Sequence, residues 1–192
     1  FENLPTVCDN TINDSIVTIH QRVEQLLDND PSIVAIGMAV PGPYLRNVGR
    51  TAVVSNMQGW RKINFIDEFA TAFRVPVFIE QDASAVALAH YLFDPSVHAD
   101  DNLAYYLVGE GVGLGVIDNG RLINGFLGAA TEIGHISIDV NGRPCDCGNV
   151  GCLERYCSTP AIHDTLIADG TVVPGAADMT HTEAARALFA KA

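Results

Sequence analysis

The sequence predicts an α/β protein, and three observations support that class. Segments with strand-like and helix-like patterns alternate through the first half of the chain, as in proteins built on a mainly parallel sheet. Hydrophobic residues make up 48% of the 192 residues, whereas charged residues make up only 18%, so a sizeable core is expected. The length fits one domain or two small lobes.

The first half contains elements of both kinds. Residues 12–27 carry aliphatic side chains at helical spacing, which predicts an amphipathic helix. The continuous apolar run over residues 32–40 predicts a strand buried on both faces, ended by Pro-Gly-Pro. The elements that follow are expected to be a strand, a helix, a strand and a helix, over residues 51–56, 64–74, 75–80 and 82–93.

Residues 94–102 are polar and rich in turn formers, which indicates a hinge between two lobes. We therefore expect an N-terminal lobe over residues 1–101, with its first strands upstream, and a C-terminal lobe over residues 102–192 that is truncated at its end. The second lobe is expected to begin with a hairpin and to become helical towards its end. The hairpin strands are predicted over 103–109 and 111–118, with an Asn-Gly turn at 119–120 and helices after residue 153.

Composition excludes some classes of function. The net charge of −12 argues against a domain that grips nucleic acid by itself, because phosphate contacts need a positive surface. The longest apolar runs are about nine residues, too short to span a bilayer, and no secretory signal is visible. An odd set of five cysteines, partly clustered, favours a reducing compartment, and we expect a cytoplasmic protein.

One histidine and three cysteines cluster between residues 135 and 152. His135, Cys145, Cys147 and Cys152 offer one imidazole and three thiolates, the ligand set of a closed structural zinc site. A Cys145–Cys152 disulfide and free buried thiols are the alternatives. Because a closed site has no open coordination position, the zinc would be structural and would not itself be the catalyst.

Two glutamates flank this cluster. Glu132 lies three residues before His135, and Glu154 lies two residues after Cys152. Folding of the loop would bring these acceptors together with the imidazole, a combination that suits hydroxyl-rich ligands such as sugars. Solvated surface carboxylates are the alternative.

Two further motifs have more than one interpretation. In "GEGVGLG", residues 109–115, glycine recurs at every second position, so phosphates can approach the backbone; tight sheet packing is the alternative. The residues of this phosphate loop are Gly109, Glu110, Gly111 and Gly113. Asp82 follows a strand and opens a helix, where it serves as a general base or only as a helix cap.

The order of six motifs resembles the ROK family, named for repressors, open reading frames and kinases. These are "AVPG", "SNMQGW", "QDAS", "GEGVGLGV", "EIGH" and "CDCGNVGCLE", over about residues 32–160. The resemblance implies an actin-like, ribonuclease-H-like fold of two lobes, with a sugar in the cleft and a structural zinc loop beside it. It also implies oligomers of identical subunits.

The resemblance assigns roles to individual residues. In ROK kinases the residue matching Asp82 takes a proton from the attacking sugar hydroxyl, and magnesium-ATP is the phosphoryl donor. The hairpin containing Glu110 would face the nucleotide phosphates. The residues that match the family's sugar contacts are Ser55, Asn56, Asp82, Glu132, His135 and Glu154.

Departures from the kinase pattern favour the regulator branch, which is NagC/XylR-like. Glu110 stands where kinases carry threonine, Gln81 where they carry asparagine, and Thr131 where they carry glycine. We therefore expect the sugar-sensing domain of a transcriptional regulator, whose winged helix-turn-helix for DNA precedes Phe1. The alternatives are an ATP-dependent hexose or N-acetylhexosamine kinase and a sugar-binding protein that has lost both activities.

Overall fold

The structure is a computed structural model that describes residues 12–52 and 58–191. Its contacts divide the chain into two compact units. The first comprises residues 1–85 and 124–129, and the second comprises residues 86–123 and 130–192. These units are defined by their compactness, whereas the predicted lobes are defined by their place in the fold. The predicted lobe boundary after residue 101 therefore stays a prediction. Among the described helices, none combines the length and apolar character that crossing a bilayer requires.

The first unit contains a helix and a pair of parallel strands. Helix α1 spans Ile12–Asn29, close to the predicted range. Strand β1, Ile36–Val40, pairs in parallel with β4, Val77–Gln81. The expectation that β1 is buried on both faces is wrong in this chain, because burial alternates along it. Its inward side packs into the core, while the opposite side of the pair leaves Phe78 66% exposed.

Between these strands the chain forms short elements. Strand β2, Tyr44–Leu45, pairs antiparallel with β3, Arg50–Thr51, and a 3₁₀ segment follows at Gln58–Lys62. The helix predicted over residues 64–74 is reduced to a π-helical turn at Ile66–Ala70. The turn lies beside an aromatic core that fixes its position. That core consists of Ile16, Val40, Tyr44, Phe65 and Phe69.

Helix α2, Asp82–Phe93, begins directly after β4 and runs from the first unit into the second. The predicted hairpin follows in the second unit. Strand β5, Leu103–Val108, pairs antiparallel with β6, Val112–Asp118. Asn119 and Gly120 both have positive φ, which a two-residue hairpin turn requires, and β7, Arg121–Leu122, returns along β6.

The end of the second unit is helical, as predicted. The helices are α3 at Glu154–Cys157, α4 at Thr159–Asp169 and α5 at His181–Phe189. Ser158 caps α4, and a capping box of Thr180 and Glu183 begins α5. Helices α4 and α5 pack around a small aliphatic core of Leu166, Val173, Ala176 and Ala184.

Candidate metal centre and sugar-binding residues

The four predicted metal ligands come together in the second unit. One ligand atom from each of His135, Cys145, Cys147 and Cys152 lies within 4.8 Å of all the others. The Sγ atoms of Cys147 and Cys152 are 3.7 Å apart, and Cys145 Sγ is 3.6 Å from His135 Nδ1. A tetrahedral zinc with metal–sulfur bonds of about 2.3 Å separates its ligands by roughly 3.5–3.8 Å, so these two separations match such a site.

The cysteines of the cluster are free thiols, which excludes the disulfide alternative in this structure. Burial, followed by the neighbouring Cys147 and Cys145 thiols, raises the pKa of Cys152 to about 12. Burial also raises the pKa of Cys145. Three thiols and one imidazole converge here, and the thiol protons leave when a metal binds. A structural zinc would therefore be held by these three sulfurs and the imidazole.

Backbone pairing shapes the loop that carries the ligands. Ser137 and Cys152 form an antiparallel bridge, and the N–H of Leu153 donates to the carbonyl of Ile136 at 2.9 Å. Gly151 has a φ of +71°, and a Cβ there would lie 1.7 Å from the carbonyl oxygen of Asp139. The close approach of these two segments therefore requires glycine at position 151.

His135 and Glu154 are held next to the same strand. Glu154 is buried, and its Oε2 accepts a hydrogen bond of 3.2 Å from the N–H of Val112 at the start of β6. His135 ends a 3₁₀ turn, Ile133–His135, and Gly134 in that turn packs so tightly that a Cβ would lie 2.2 Å from the Val112 carbonyl oxygen. Because His135 directs Nδ1 at the metal cluster, its Nε2 lies on the far side of the ring.

The turn that contains Glu132 is anchored by a strained threonine. Thr131 has a φ of +67°, a left-handed conformation that is costly for a β-branched residue. Its hydroxyl donates to the carbonyl of Leu114 in β6 at 2.6 Å. This bond ties the chain just before Glu132 to the hairpin.

Replacing Thr131 separates strain from hydrogen bonding. The Thr131→Ala variant keeps the strained backbone and loses the hydroxyl, whereas Thr131→Gly loses the hydroxyl and relieves the strain. We expect the glycine variant to be more stable than the alanine variant by about 1–2 kcal/mol in urea unfolding. Equal stability of the two would contradict the strained conformation.

The Glu110 carboxylate contacts residues at the start of two helices. Its oxygens lie 3.0 and 3.1 Å from Nδ1 of His181, the first residue of α5, and Thr159 at the start of α4 donates to it at 3.3 Å. The N–H of Thr159 also donates to the carbonyl of Gly109 at 2.8 Å. A negative charge is favourable at both helix N-termini, so the turn between β5 and β6 is held by its own carboxylate.

Sequence patterns do not indicate His181 and Thr159 as partners of Glu110. They follow Glu110 by 71 and 49 positions, and no motif connects them to it. The capping pattern around Thr180 was the signal that a helix begins beside His181.

Asp82 is the first residue of α2, in the first unit. Burial raises the pKa of its carboxyl group, and the N–H of Ala83, which donates to Oδ1 at 2.7 Å, opposes that shift. Such a group suits proton abstraction. Asp82 is also the first residue of the helix, so its predicted role, general base or helix cap, stays a prediction. Ser55 and Asn56 lie outside the described residues, so their predicted sugar contacts, like those of Glu132 and Glu154, stay predictions.

Comparison with known proteins identifies the family of this chain. The model of the ROK family matches residues 2–186. The xylose repressor of Bacillus subtilis is 36% identical over 148 residues, which are 77% of this chain and 38% of the repressor. The glucokinase of Thermotoga maritima is 31% identical over 161 residues, which are 84% of this chain and 50% of the enzyme. The chain thus spans half or less of the length of these relatives.

Solved structures agree with the sequence comparisons. The crystal structure of a ROK family transcriptional regulator, a homologue of the E. coli MLC protein, superimposes with a TM-score of 0.64 at 31% identity, over 82% of this chain and 40% of the regulator. A ROK family glucokinase from Streptomyces griseus, in complex with glucose and AMPPNP, gives a TM-score of 0.72 at 26% identity, over 85% of this chain and 51% of the enzyme. These structures carry the actin-like sugar-kinase fold, and the chain described here is part of that fold. The chain therefore belongs to the ROK family.

Proposed function

We propose that this chain is the sugar-sensing effector domain of a ROK-family transcriptional regulator and binds a hexose or a hexose derivative. The observation that carries the proposal is the environment of Glu110. The carboxylate lies in the glycine-rich turn between β5 and β6, where a sugar kinase would hold nucleotide phosphates. There it contacts Thr159 and His181. A fixed negative charge repels phosphates from this turn.

The residues that the family resemblance assigns to sugar binding are present in this sequence. Glu154 and Glu132 would accept hydrogen bonds from sugar hydroxyls, and the Nε2 of His135 would contact a further hydroxyl while Nδ1 faces the metal. The zinc, when bound, would fix the His135 ring and the loop that leads to Glu154. Each side chain would then act only in binding and orienting the sugar, with no chemical step.

Sugar binding would act on DNA through a population shift. A sugar that binds one conformation of the protein more tightly than another favours that conformation, and DNA affinity changes by the difference in binding free energy. The DNA-binding winged helix-turn-helix would lie in the part of the protein before Phe1. The similarity to a xylose repressor and to the E. coli regulator NagC supports this proposal, and such a regulator would act in the cytoplasm.

A sugar kinase is the second candidate, because Asp82 is retained with a raised pKa and glucokinases are among the relatives. It would use magnesium-ATP as phosphoryl donor and Asp82 as general base. The two functions differ in whether added magnesium-ATP produces a continuous heat of turnover in the presence of sugar. Calorimetric titration of the whole protein with hexoses and N-acetylhexosamines is expected to show saturable binding, and addition of magnesium-ATP is expected to produce no continuous heat of turnover.

A further inference from the structure

A cavity of about 280 Å³ lies in the second unit, beside the loop of the metal cluster. Arg143 of that loop and Arg155 of α3 line one part of it, and the surface of α4 lines the rest with Asp164 and Thr165. Pro160 and Ala161 are among its apolar walls. The cavity includes none of the predicted sugar contacts, so it is a separate place on the domain.

Two arginines and one aspartate line this cavity, so its charged side chains leave an excess of one positive charge. Neither arginine forms an ion pair within the described parts of the chain, although the protein carries a net charge of −12. The Nε of Arg155 is buried and lacks a hydrogen-bond partner among the described residues. A buried donor without an acceptor is costly, and the positive charge of the guanidinium that carries it is stabilised by an anion nearby.

Arg143 is fixed in position by its neighbours. One of its terminal nitrogens donates to the carbonyl of Arg155 at 2.8 Å, and its guanidinium lies over the ring of Tyr156 at 5.0 Å from the centroid. Its backbone N–H donates to the Tyr156 hydroxyl at 2.9 Å. These contacts hold the guanidinium at the cavity before any ligand arrives, which lowers the entropy cost of binding.

We propose that this cavity binds the phosphate monoester of a small polyol. A phosphate monoester carries nearly two negative charges at neutral pH and matches two guanidinium groups in charge and hydrogen-bond geometry. The Asp164 carboxylate at the same cavity opposes a bare anion but accepts a hydrogen bond from a ligand hydroxyl. The volume suits a ligand of about ten non-hydrogen atoms, which is smaller than most drug-sized ligands.

Glycerol 3-phosphate is the probe, titrated by calorimetry at constant ionic strength against the zinc-loaded protein. We expect saturable binding by the wild-type protein, no binding of glycerol, and a loss of affinity of about tenfold or more in Arg155→Gln. Inorganic phosphate is expected to bind more weakly than the ester. In Asp164→Ala the preference for the ester over inorganic phosphate is expected to fall towards one.

Arg121→Gln is the matched control, because it removes the same charge from an exposed position in the same unit. Its affinity for the ester is expected to equal that of the wild type. The zinc content and melting temperature of each variant identify any that fail to fold. Absence of saturable ester binding by the wild-type protein, or equal losses in Arg121→Gln and Arg155→Gln, would overturn the proposal. Hexose titration of the same samples reports separately on the proposed function.

Discussion

Replacing Cys147 with serine is expected to lower the stability of this domain and its affinity for sugar together. Cys147 Sγ lies 3.7 Å from Cys152 Sγ in the four-ligand cluster, so the substitution removes one of three sulfurs that would hold the zinc. Loss of a structural metal costs about 3 kcal/mol or more, which corresponds to about 10 °C in melting temperature for a chain of this size.

Sugar affinity is expected to fall with it, because a bound metal would position His135 and the chain leading to Glu154. The measurements are metal content, thermal melting and calorimetric hexose titration. Cys157→Ser is the matched control, since Cys157 is a free thiol outside the cluster whose Sγ donates a hydrogen bond to the carbonyl of Leu153, and serine keeps a donor there. An unchanged melting temperature and sugar affinity in metal-free Cys147→Ser would show that the metal loop does not position the sugar-binding residues.

Replacing Glu154 is expected to separate its structural role from its proposed role in sugar binding. The side chain is buried and accepts a hydrogen bond from the N–H of Val112. Glu154→Gln keeps the shape and an acceptor oxygen, so its stability should change little. Its sugar affinity should fall about tenfold or more, because a charged acceptor is replaced by a neutral one.

Glu154→Ala is expected to lose both properties. It leaves the Val112 N–H without that acceptor in a buried place, which costs about 1–3 kcal/mol of unfolding free energy. Urea unfolding and hexose titration of both variants provide the comparison. If Glu154→Gln bound sugar as tightly as the wild type, Glu154 would have only a structural role.

Local sequence patterns predicted the regular elements well. The periodicity of residues 12–27 indicated α1, and the glycine-punctuated alternation of residues 103–118 indicated the β5–β6 hairpin. Predictions that depended on tertiary environment were less accurate. The aromatic residues at 64–74 suggested a helix, but packing of Phe65 and Phe69 into the core leaves only a π-helical turn at Ile66–Ala70.

The metal ligands were predictable because they are clustered in sequence, and backbone pairing of the loop brings them together. The partners of Glu110 were not, since His181 reaches it only through the packing of α5. The same holds for the arginine-lined cavity, where Arg143 and Arg155 lie 12 positions apart and meet through a single side-chain bond. Local patterns report spacing along the chain, whereas these contacts depend on how the helices fold back.

We propose that this domain binds a sugar without phosphorylating it. Calorimetric titration of the whole protein with hexoses and N-acetylhexosamines, repeated with magnesium-ATP, measures both properties in one cell. We expect a saturable isotherm for at least one sugar and no sustained ATP-dependent heat, because Glu110 occupies the turn where a kinase would hold nucleotide phosphates. Sustained heat with stoichiometric formation of sugar phosphate, or absence of binding across the whole panel, would contradict it.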